Sequence, residues 1–348
     1  MTIARKIVEY AINSDSSDIH LEENSPIAIR SNSDIKIIDK VLGSNDMDAL
    51  LLEILGEEKL SQFNKDNDLD TSIGLEGLSR LRINAYVANE KRCLTLRLLP
   101  DNLPKWSDLG LPEAFINLSK KHRGLVLCTG PTGSGKSTSL AAFINCILET
   151  QKRHILTIED PIEFQFSSTK NSIIHQREVK RDTDSFATAL RAALREDPDV
   201  IYIGEMRDLE TIQLAITAAE TGHLVLGTLH TSSAAKTVER IVDVFPADQQ
   251  EQARLQVSTS LAGIMSQTLC KNTKGKRSLG YEILINTNAI SNLIREKKVS
   301  QIYSQLQTGS NEGMNTLEQC LQSLLDQKLI TPSEAISKAS NPKAINII

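Results

Sequence analysis

Residues 130–137 read Gly-Pro-Thr-Gly-Ser-Gly-Lys-Ser, which is the Gly-x4-Gly-Lys-Ser/Thr pattern of a phosphate-binding loop. The three glycines permit backbone angles that other residues avoid, so successive amide N–H groups can point inward around an anion. In such loops the lysine reaches the β- and γ-phosphates of a nucleotide, and the final hydroxyl ligates Mg²⁺. The sequence therefore predicts a nucleotide site, with Ser137 as a Mg²⁺ ligand, formed by Gly130, Pro131, Thr132, Gly133, Ser134, Gly135, Lys136, Ser137 and Thr138.

The residues on either side of the loop support this prediction. Leu125–Cys128 is a short apolar run that reads as a buried strand, and Ser139–Thr150 carries apolar residues at helical spacing. The amino end of that helix would face the phosphates. The alternative is a glycine-rich turn that binds nothing, and the strand-loop-helix context makes it much the weaker reading.

Composition places the chain among ordinary soluble globular proteins. It has 348 residues, of which 40% are hydrophobic and 24% charged, so two domains are the first expectation. The net charge is −5, and no basic stripe of the kind that binds duplex DNA is visible. We therefore expect no nucleic-acid partner.

The cysteines and the apolar runs bear on location. Five scattered cysteines without a Cys-x-x-Cys pair indicate neither a disulfide framework nor a zinc ribbon, and favour buried thiols in a reducing compartment. No apolar stretch is long enough to span a membrane, and the first residues lack a signal-peptide core. A cytoplasmic protein is expected, with any membrane role passing through a partner.

Residues 1–100 are predicted to form a small α+β domain. Helices are expected over Ile3–Ile12 and Asp46–Leu60, strands over Pro26–Arg30 and Ile35–Ile38, and a hairpin from Leu81–Val87 and Cys93–Leu98. Residues 101–110 are predicted to be a linker, because Pro100 and Pro104 stop any helix there.

From residue 111 to 348 a second, α/β domain is predicted. Four strands alternate with helices such as Ser185–Leu194 and Asp208–Glu220, and this alternation indicates a parallel sheet; the strands are Leu125–Cys128, His154–Ile158, Val200–Ile203 and Leu224–Leu229. The region from about 248 to 348 is expected to be mostly helical, over Asp248–Thr268, Thr287–Glu296, Val299–Thr308, Met314–Gln327 and Pro332–Ala339.

Acidic side chains follow two of the predicted strands. Glu159, Asp160 and Glu163 come after one strand, and Glu205 comes after the next. Because ligands of an α/β sheet lie beyond the carboxyl ends of its strands, such carboxylates can orient or deprotonate a water or hold Mg²⁺ through water. The alternatives are a solvated acidic turn for the first group and a carboxylate that stabilises a helix amino end for Glu205.

Two histidines bracket the strand Leu224–Leu229. His230 lies at its carboxyl end, where a neutral imidazole could hydrogen-bond the γ-phosphate or the attacking water and so distinguish ATP from ADP. His223 lies at the opposite end and is the weaker candidate. A satisfied structural histidine is the alternative for both.

Taken together, these segments resemble the secretion ATPase superfamily that drives type II secretion, type IV pili and type IV secretion. The phosphate loop, the acidic segment 157–164, the stretch Leu194–Asp208 and the histidine segment 221–231 match in order, and Ser17–His20 resembles the entry to the N-terminal domain. The short N-terminal domain, the absence of a four-cysteine zinc insert and the segment Ala289–Glu296 are most similar to the pilus retraction ATPases. That group usually has Arg where this chain has Ser291, a departure that does not touch the ATPase chemistry.

The resemblance implies a homohexameric ring of RecA-like ATPase domains, each with a PAS-like N-terminal domain. It implies ATP and Mg²⁺ bound between the two domains, Glu163 as general base, Glu205 as second acidic residue, and Glu159 and Asp160 near the metal. It also implies basic residues supplied across the subunit interface, with Arg82 and Arg97 foremost, and Arg80, Arg195, Arg207 and Arg240 as further candidates. The partner would be an inner-membrane pilus platform protein at the inner face of the cytoplasmic membrane.

Four functions remain open at this stage. The first is a hexameric motor that hydrolyses ATP to retract type IV pili. The second is an assembly, secretion or conjugation motor of the same superfamily, and the third is a RecA-like nucleic-acid motor. The fourth, a regulatory homologue that does not hydrolyse ATP, is disfavoured because no catalytic position is lost.

Overall fold

The computed structural model of the chain describes residues 2–31, 34–75, 77–99 and 102–347. It divides into two compact units, Met1–Asn102 and Leu103–Ile348. Of the predicted linker, Pro100 and Asp101 lie outside the described residues, and Trp106–Leu109 form a short helix that packs within the second unit. Among the helices of the described residues, none combines the length and hydropathy that crossing a bilayer requires.

The first unit is an antiparallel sheet covered on one face by two helices. Its described strands run in the order β3-β2-β1-β6-β5-β4, and its elements are α1 Ile3–Asn13, β1 Ser16–Glu22, β2 Ser25–Ser31, β3 Asp34–Leu42, α2 Ser44–Asp66, β4 Asp68–Leu75, β5 Ser79–Ala88 and β6 Lys91–Leu99. The hairpin and both helices are confirmed, whereas β1 and β4 were not predicted as strands. Alternate residues of the strands, such as Ile19, Ile83 and Leu96, pack with the helices in one apolar core.

The second unit is built on a sheet with helices on both faces. Within the described residues its strand order is β13-β12-β7-β11-β10-β8-β9, formed by β7 Gly124–Thr129, β8 His154–Glu159, β9 Ile173–Glu178, β10 Val200–Ile203, β11 Leu224–Leu229, β12 Leu261–Lys271 and β13 Arg277–Ile285. All neighbouring pairs are parallel except the antiparallel pair β12–β13 at one edge. The expected α/β fold and its four predicted strands are confirmed.

Eleven helices, counted over the described residues, belong to the second unit. They are α3 Trp106–Leu109, α4 Glu113–Asn117, α5 Lys136–Thr150, α6 Phe186–Ala193, α7 Leu209–Glu220, α8 Ala234–Asp243, α9 Gln250–Ser260, α10 Asn288–Arg295, α11 Ile302–Thr308, α12 Leu317–Asp326 and α13 Pro332–Lys338. Helix α5 packs on one sheet face, in a core with α3 and α4, and helices α6–α10 pack on the other face.

The helix predicted over Asp248–Thr268 is wrong in its second half. Helix α9 ends at Ser260, and Leu261–Lys271 form strand β12, followed by β13, which was not predicted. The first seven residues of β12 are all buried, and a strand buried on both faces has a nearly continuous apolar run that periodicity cannot distinguish from a buried helix. Strand β9 was missed as well, because its exposed and charged residues break the apolar pattern.

Candidate active site

The phosphate loop lies at the carboxyl end of β7, an interior strand of the sheet whose residues are all buried. The loop turns from Thr129 into α5 with Gly130, Gly133 and Gly135 at φ values of 143°, 77° and 89°. These values are in the region that residues with a Cβ rarely adopt. Gly130 and Gly135, which the sequence pattern requires, and Gly133 within it are therefore the residues that shape the cradle, and the cradle fits a phosphate group.

One side chain of β12 holds the loop from behind. The Gln267 amide donates from Nε2 to the Ser134 carbonyl oxygen at 2.6 Å, and its Oε1 accepts from the Cys128 thiol at 3.0 Å. A Cβ at Gly130 would overlap the Gln267 carbonyl oxygen. Gln267 is buried and ties the loop to both β7 and β12. Sequence reasoning missed it because its segment was taken for a helix; the polar run Ser266–Thr268 within an apolar strand is the signal that a strand reading would have used.

The ammonium group of Lys136 is held inside the loop. Its Nζ donates to the carbonyl oxygens of Gly130 and Pro131 at 2.8 and 3.1 Å. Burial lowers the pKa of Lys136, while the charges of Glu205 and Glu163 act in the opposite direction. Lys136, Glu163 and Glu205 each follow the carboxyl end of a parallel strand, so three of the predicted site residues lie at the same edge of the sheet and their charges interact.

Glu205, Arg207 and His230 form a cluster at the ends of β10 and β11. Glu205 Oε2 accepts a hydrogen bond from Arg207 Nη2 at 2.6 Å, and Glu205 Oε1 lies 2.9 Å from His230 Nε2. Burial raises the pKa of Glu205, but the hydrogen bond and charge of Arg207, together with His230, outweigh burial and leave that pKa below its usual value. Glu205 is therefore kept ionised at the edge of the sheet where the phosphate loop lies.

The acidic segment after β8 divides into a buried and an exposed part. Glu159 is buried and accepts from the Thr157 hydroxyl at 2.6 Å and from Gln176 Nε2 at 3.1 Å. Burial raises the pKa of Glu159 to about 7, and its carboxylate also accepts a hydrogen bond from the backbone N–H of Glu163. Asp160 is exposed and interacts with Arg207, while Glu163 is half-buried. Glu159 is thus placed to hold the turn that presents Glu163, and Asp160 and Glu163 have the freer carboxylates.

The remaining candidates of this unit lie elsewhere. His223 Nδ1 is 3.0 Å from the Ala218 carbonyl oxygen at the amino end of β11, away from the phosphate loop. Arg195 follows α6 and precedes β10, so it also belongs to the amino edge of the sheet. Arg240 is an exposed residue on α8. Among the described residues there is no group of three His, Cys, Asp or Glu side chains placed to hold a metal ion.

Comparison with known proteins identifies the family of the chain. A sequence profile of the family described as Type II/IV secretion system protein matches residues 1–329. The chain belongs to this family. It is 47% identical over 339 residues to the type IV pilus retraction ATPase PilT of Pseudomonas aeruginosa, covering 97% of this chain and 98% of that one. It is 48% identical over 320 residues to a twitching motility protein of Neisseria gonorrhoeae, covering 91% and 85%.

The fold comparison gives the same relationship. A crystal structure of the pilus retraction motor PilT with bound ADP superimposes with a TM-score of 0.91 at 46% sequence identity, covering 99% of this chain and 98% of that chain. The chain is therefore an ATPase of the type II/IV secretion family, and the resemblance inferred from its motifs is confirmed.

Two of the candidate arginines of the first unit, Arg82 and Arg97, share one row of its sheet, whereas Arg80 on β5 is opposite Leu99 on β6. Arg82 on β5 is directly opposite Arg97 on β6, and Arg97 is opposite Asp18 on β1. Arg97 Nε donates to Asp18 Oδ1 at 2.8 Å, and Arg82 Nη2 donates to Asp70 Oδ2 at 2.7 Å. Side chains of this row lie on the face opposite the apolar core. The row therefore presents two arginines, each paired with a carboxylate of a neighbouring strand.

Proposed function

We propose that this family member is the ATP-hydrolysing motor of type IV pilus retraction. The observation that carries the proposal is the convergence of Lys136, Glu163 and the Glu205–His230 pair at the carboxyl edge of the sheet. A lysine for phosphate and two carboxylates for a water or a metal are the parts that phosphoryl transfer to water needs. The likeness to retraction proteins over nearly the whole chain supports the direction of the motor.

In the proposed reaction each residue has a separate task. The amides of Gly130–Thr138 surround the phosphates, and Lys136 exchanges the loop carbonyl oxygens for phosphate oxygens. Ser137, Asp160 and Glu159 are the residues that would hold Mg²⁺, and the ion would neutralise phosphate charge. Glu163 accepts the proton of the attacking water, because its half-buried carboxylate follows β8 at the same edge of the sheet as Lys136 and retains access to solvent.

Glu205 and His230 act as a pair in this proposal. The ionised Glu205 orients the water or the metal. His230 contacts the γ-phosphate, so the loss of that phosphate on hydrolysis removes the contact and distinguishes ADP from ATP. Arg82 and Arg97, supplied by a neighbouring subunit of a homohexameric ring, would neutralise transition-state charge as arginine fingers do. The ring would act in the cytoplasm on an inner-membrane platform protein, so that pilin subunits leave the filament.

The proposal is tested in cells that lack this gene. Complementation with the wild-type gene is compared with the Glu205→Ala variant, and with Glu239→Ala as a control that removes an exposed carboxylate of α8. We expect abundant surface pili without twitching in the deletion strain, with twitching restored by the wild type and by Glu239→Ala only. Loss of all pili in the deletion strain would instead identify an assembly motor.

A further inference from the structure

A buried carboxylate on the edge strand β13 contacts the helix that follows the histidine segment. Glu282 is 6% exposed, and its Oε1 accepts a hydrogen bond from the Ala234 backbone N–H at 2.7 Å. Ala234 is the first residue of α8, where a helix leaves its N–H groups without intrahelical acceptors. A carboxylate at that position is also favoured by the helix dipole.

We propose that Glu282 is a positioning residue for His230, acting through the amino end of α8. The proposal rests on the role of His230 given above. It concerns a residue that makes no contact with nucleotide in that scheme and that no sequence motif singles out.

The segment between His230 and α8 is short and closely tied to the helix. The Thr231 and Thr237 hydroxyls lie 2.7 Å apart, and Thr237 Oγ1 also donates to the Ser233 carbonyl oxygen at 2.7 Å. The Ser233 side chain caps α8 by accepting from the Lys236 N–H. Because these bonds leave little freedom over four residues, the position of the first turn of α8 determines where His230 stands relative to Glu205.

Glu282 is also connected to the phosphate loop across the sheet. It is directly opposite Ser266 on β12, and Ser266 is opposite Thr129 on β7. The Ser266 and Thr129 hydroxyls lie 2.7 Å apart, and Thr129 immediately precedes Gly130. A row of buried polar side chains therefore runs behind the loop to the carboxylate that holds α8.

The groups facing Glu282 give it an unusual titration. Burial raises the pKa of Glu282 to about 7, and the charge of Glu318 from α12 adds to this effect, against the lowering by the Ala234 N–H. Tyr303 of α11 donates to Glu318 at 3.2 Å, α8 contributes the backbone N–H, and β12 contributes the uncharged Ser266. Above about pH 7 Glu282 is therefore ionised, and a negatively charged carboxylate accepts the hydrogen bond from α8. Below about pH 7 the carboxyl group becomes neutral.

This titration separates a positioning role from a structural one. Between the ordinary glutamate value of 4.5 and about 7 the folded chain retains a proton that the unfolded chain releases, so stability falls as pH rises and the cost is complete above pH 7. Glu282→Gln keeps an oxygen acceptor for Ala234 but removes the buried charge. A purely structural role predicts that Glu282→Gln loses stability together with activity. The positioning role predicts a loss of activity without a loss of stability.

The experiment measures steady-state ATPase activity of the full-length protein from pH 6 to 9, with thermal unfolding at pH 8. For Glu282→Gln we expect kcat at pH 8 to fall about 3- to 10-fold, in the range that small misplacements cost, with KM for ATP changed less than twofold. For wild type we expect kcat to rise as Glu282 ionises near pH 7. In Glu282→Gln this rise should be smaller, because only the titration of Glu159 remains in that range, and Tm should be equal to or above wild type. Glu334→Gln is the matched control, because Glu334 accepts from the Lys271 N–H at 2.8 Å in the same way but away from α8.

Three results would overturn the inference. They are wild-type kcat in Glu282→Gln, a rise in kcat near pH 7 as large as that of wild type, or a lower Tm than wild type. His230→Asn distinguishes the two levels of the argument. If His230→Asn slows turnover while Glu282→Gln does not, only the positioning role fails; if His230→Asn has no effect, the proposed role of His230 fails.

Discussion

At the scale of single residues, the site depends on side chains that hold others in place. Lys136 and Glu205 were identified from the sequence, because the loop pattern and the position at a strand end require those residue types. Sequence patterns do not show that other groups are held in place by Gln267, Glu159 and Glu282. These roles depend on hydrogen-bond partners that only the fold brings together.

The first prediction concerns Gln267. Gln267→Leu keeps the size of the side chain but leaves the Ser134 carbonyl oxygen and the Cys128 thiol without their partner. An unsatisfied buried group costs about 1–3 kcal/mol, so the dissociation constant for ATP should rise by about tenfold or more. Titration with a fluorescent nucleotide measures it, and Gln252→Leu at an exposed position of α9 should bind as wild type. Unchanged binding by Gln267→Leu would show that the loop keeps its shape without β12.

The second prediction uses the titration of Glu205. The lowered pKa means that its ionised form is retained until the pH falls through that lowered value. Arg207→Ala removes the hydrogen bond and the charge that oppose burial, so the pKa of Glu205 should rise and the acid limb of kcat should move to higher pH. Arg177→Ala removes the ion pair between Arg177 of β9 and Glu196, and it should leave the acid limb of kcat in place. An acid limb that does not move in Arg207→Ala would exclude ionised Glu205 as a requirement for turnover.

At the scale of elements, the apolar pattern predicted most of the fold and failed in an instructive place. Strands β7, β8, β10 and β11 were recognised because apolar runs of strand length end at glycine or polar residues. Strand β12 was taken for the end of α9, because burial on both faces removes the alternation that identifies a strand. A glycine at position 263 within the expected helix was the contrary signal, since glycine is a poor helix former.

The third prediction tests the packing of that strand. A Cβ at Gly263 would stand 2.7 Å from Leu118 Cδ1 and 2.9 Å from the Leu284 carbonyl oxygen. Gly263→Ala should therefore lower the free energy of unfolding by about 1–3 kcal/mol through overpacking, as measured by denaturant titration. Gly74→Ala is the matched change in a strand of the first unit, where the nearest atom is Arg80 Cγ at 3.9 Å, and it should be tolerated. Equal midpoints for Gly263→Ala and wild type would contradict the close approach.

At the scale of the whole molecule, residues that are proposed to act between subunits are tested in assemblies that combine two different variants. Variants Arg97→Ala and Glu205→Ala should each be inactive alone if both groups serve the same chemical step. If Arg97 acts on a neighbouring subunit, rings assembled from a mixture of the two variants contain some sites with both residues intact. ATPase activity should then appear in the mixture.

This fourth prediction has a built-in control. Mixing Glu205→Ala with His230→Asn should restore nothing, because those two residues contact each other within one chain. A mixture of Arg97→Ala and Glu205→Ala that also stays inactive, although the variants co-assemble, would place Arg97 outside the shared site.

The carboxylates that pair with the arginines have a consequence for the rate of the motor. Asp18 is buried and binds Arg97, and Asp70 binds Arg82, so each arginine is already paired with an anion. In the proposed ring, phosphate must compete with an intramolecular anion, and the arginines return to that anion when the product leaves. The net free energy of each arginine–phosphate contact is then only the difference between two ion pairs. This smaller net free energy weakens product binding and favours rapid turnover. In the proposed ring, two aspartates outside the nucleotide site would thus help to set the turnover rate.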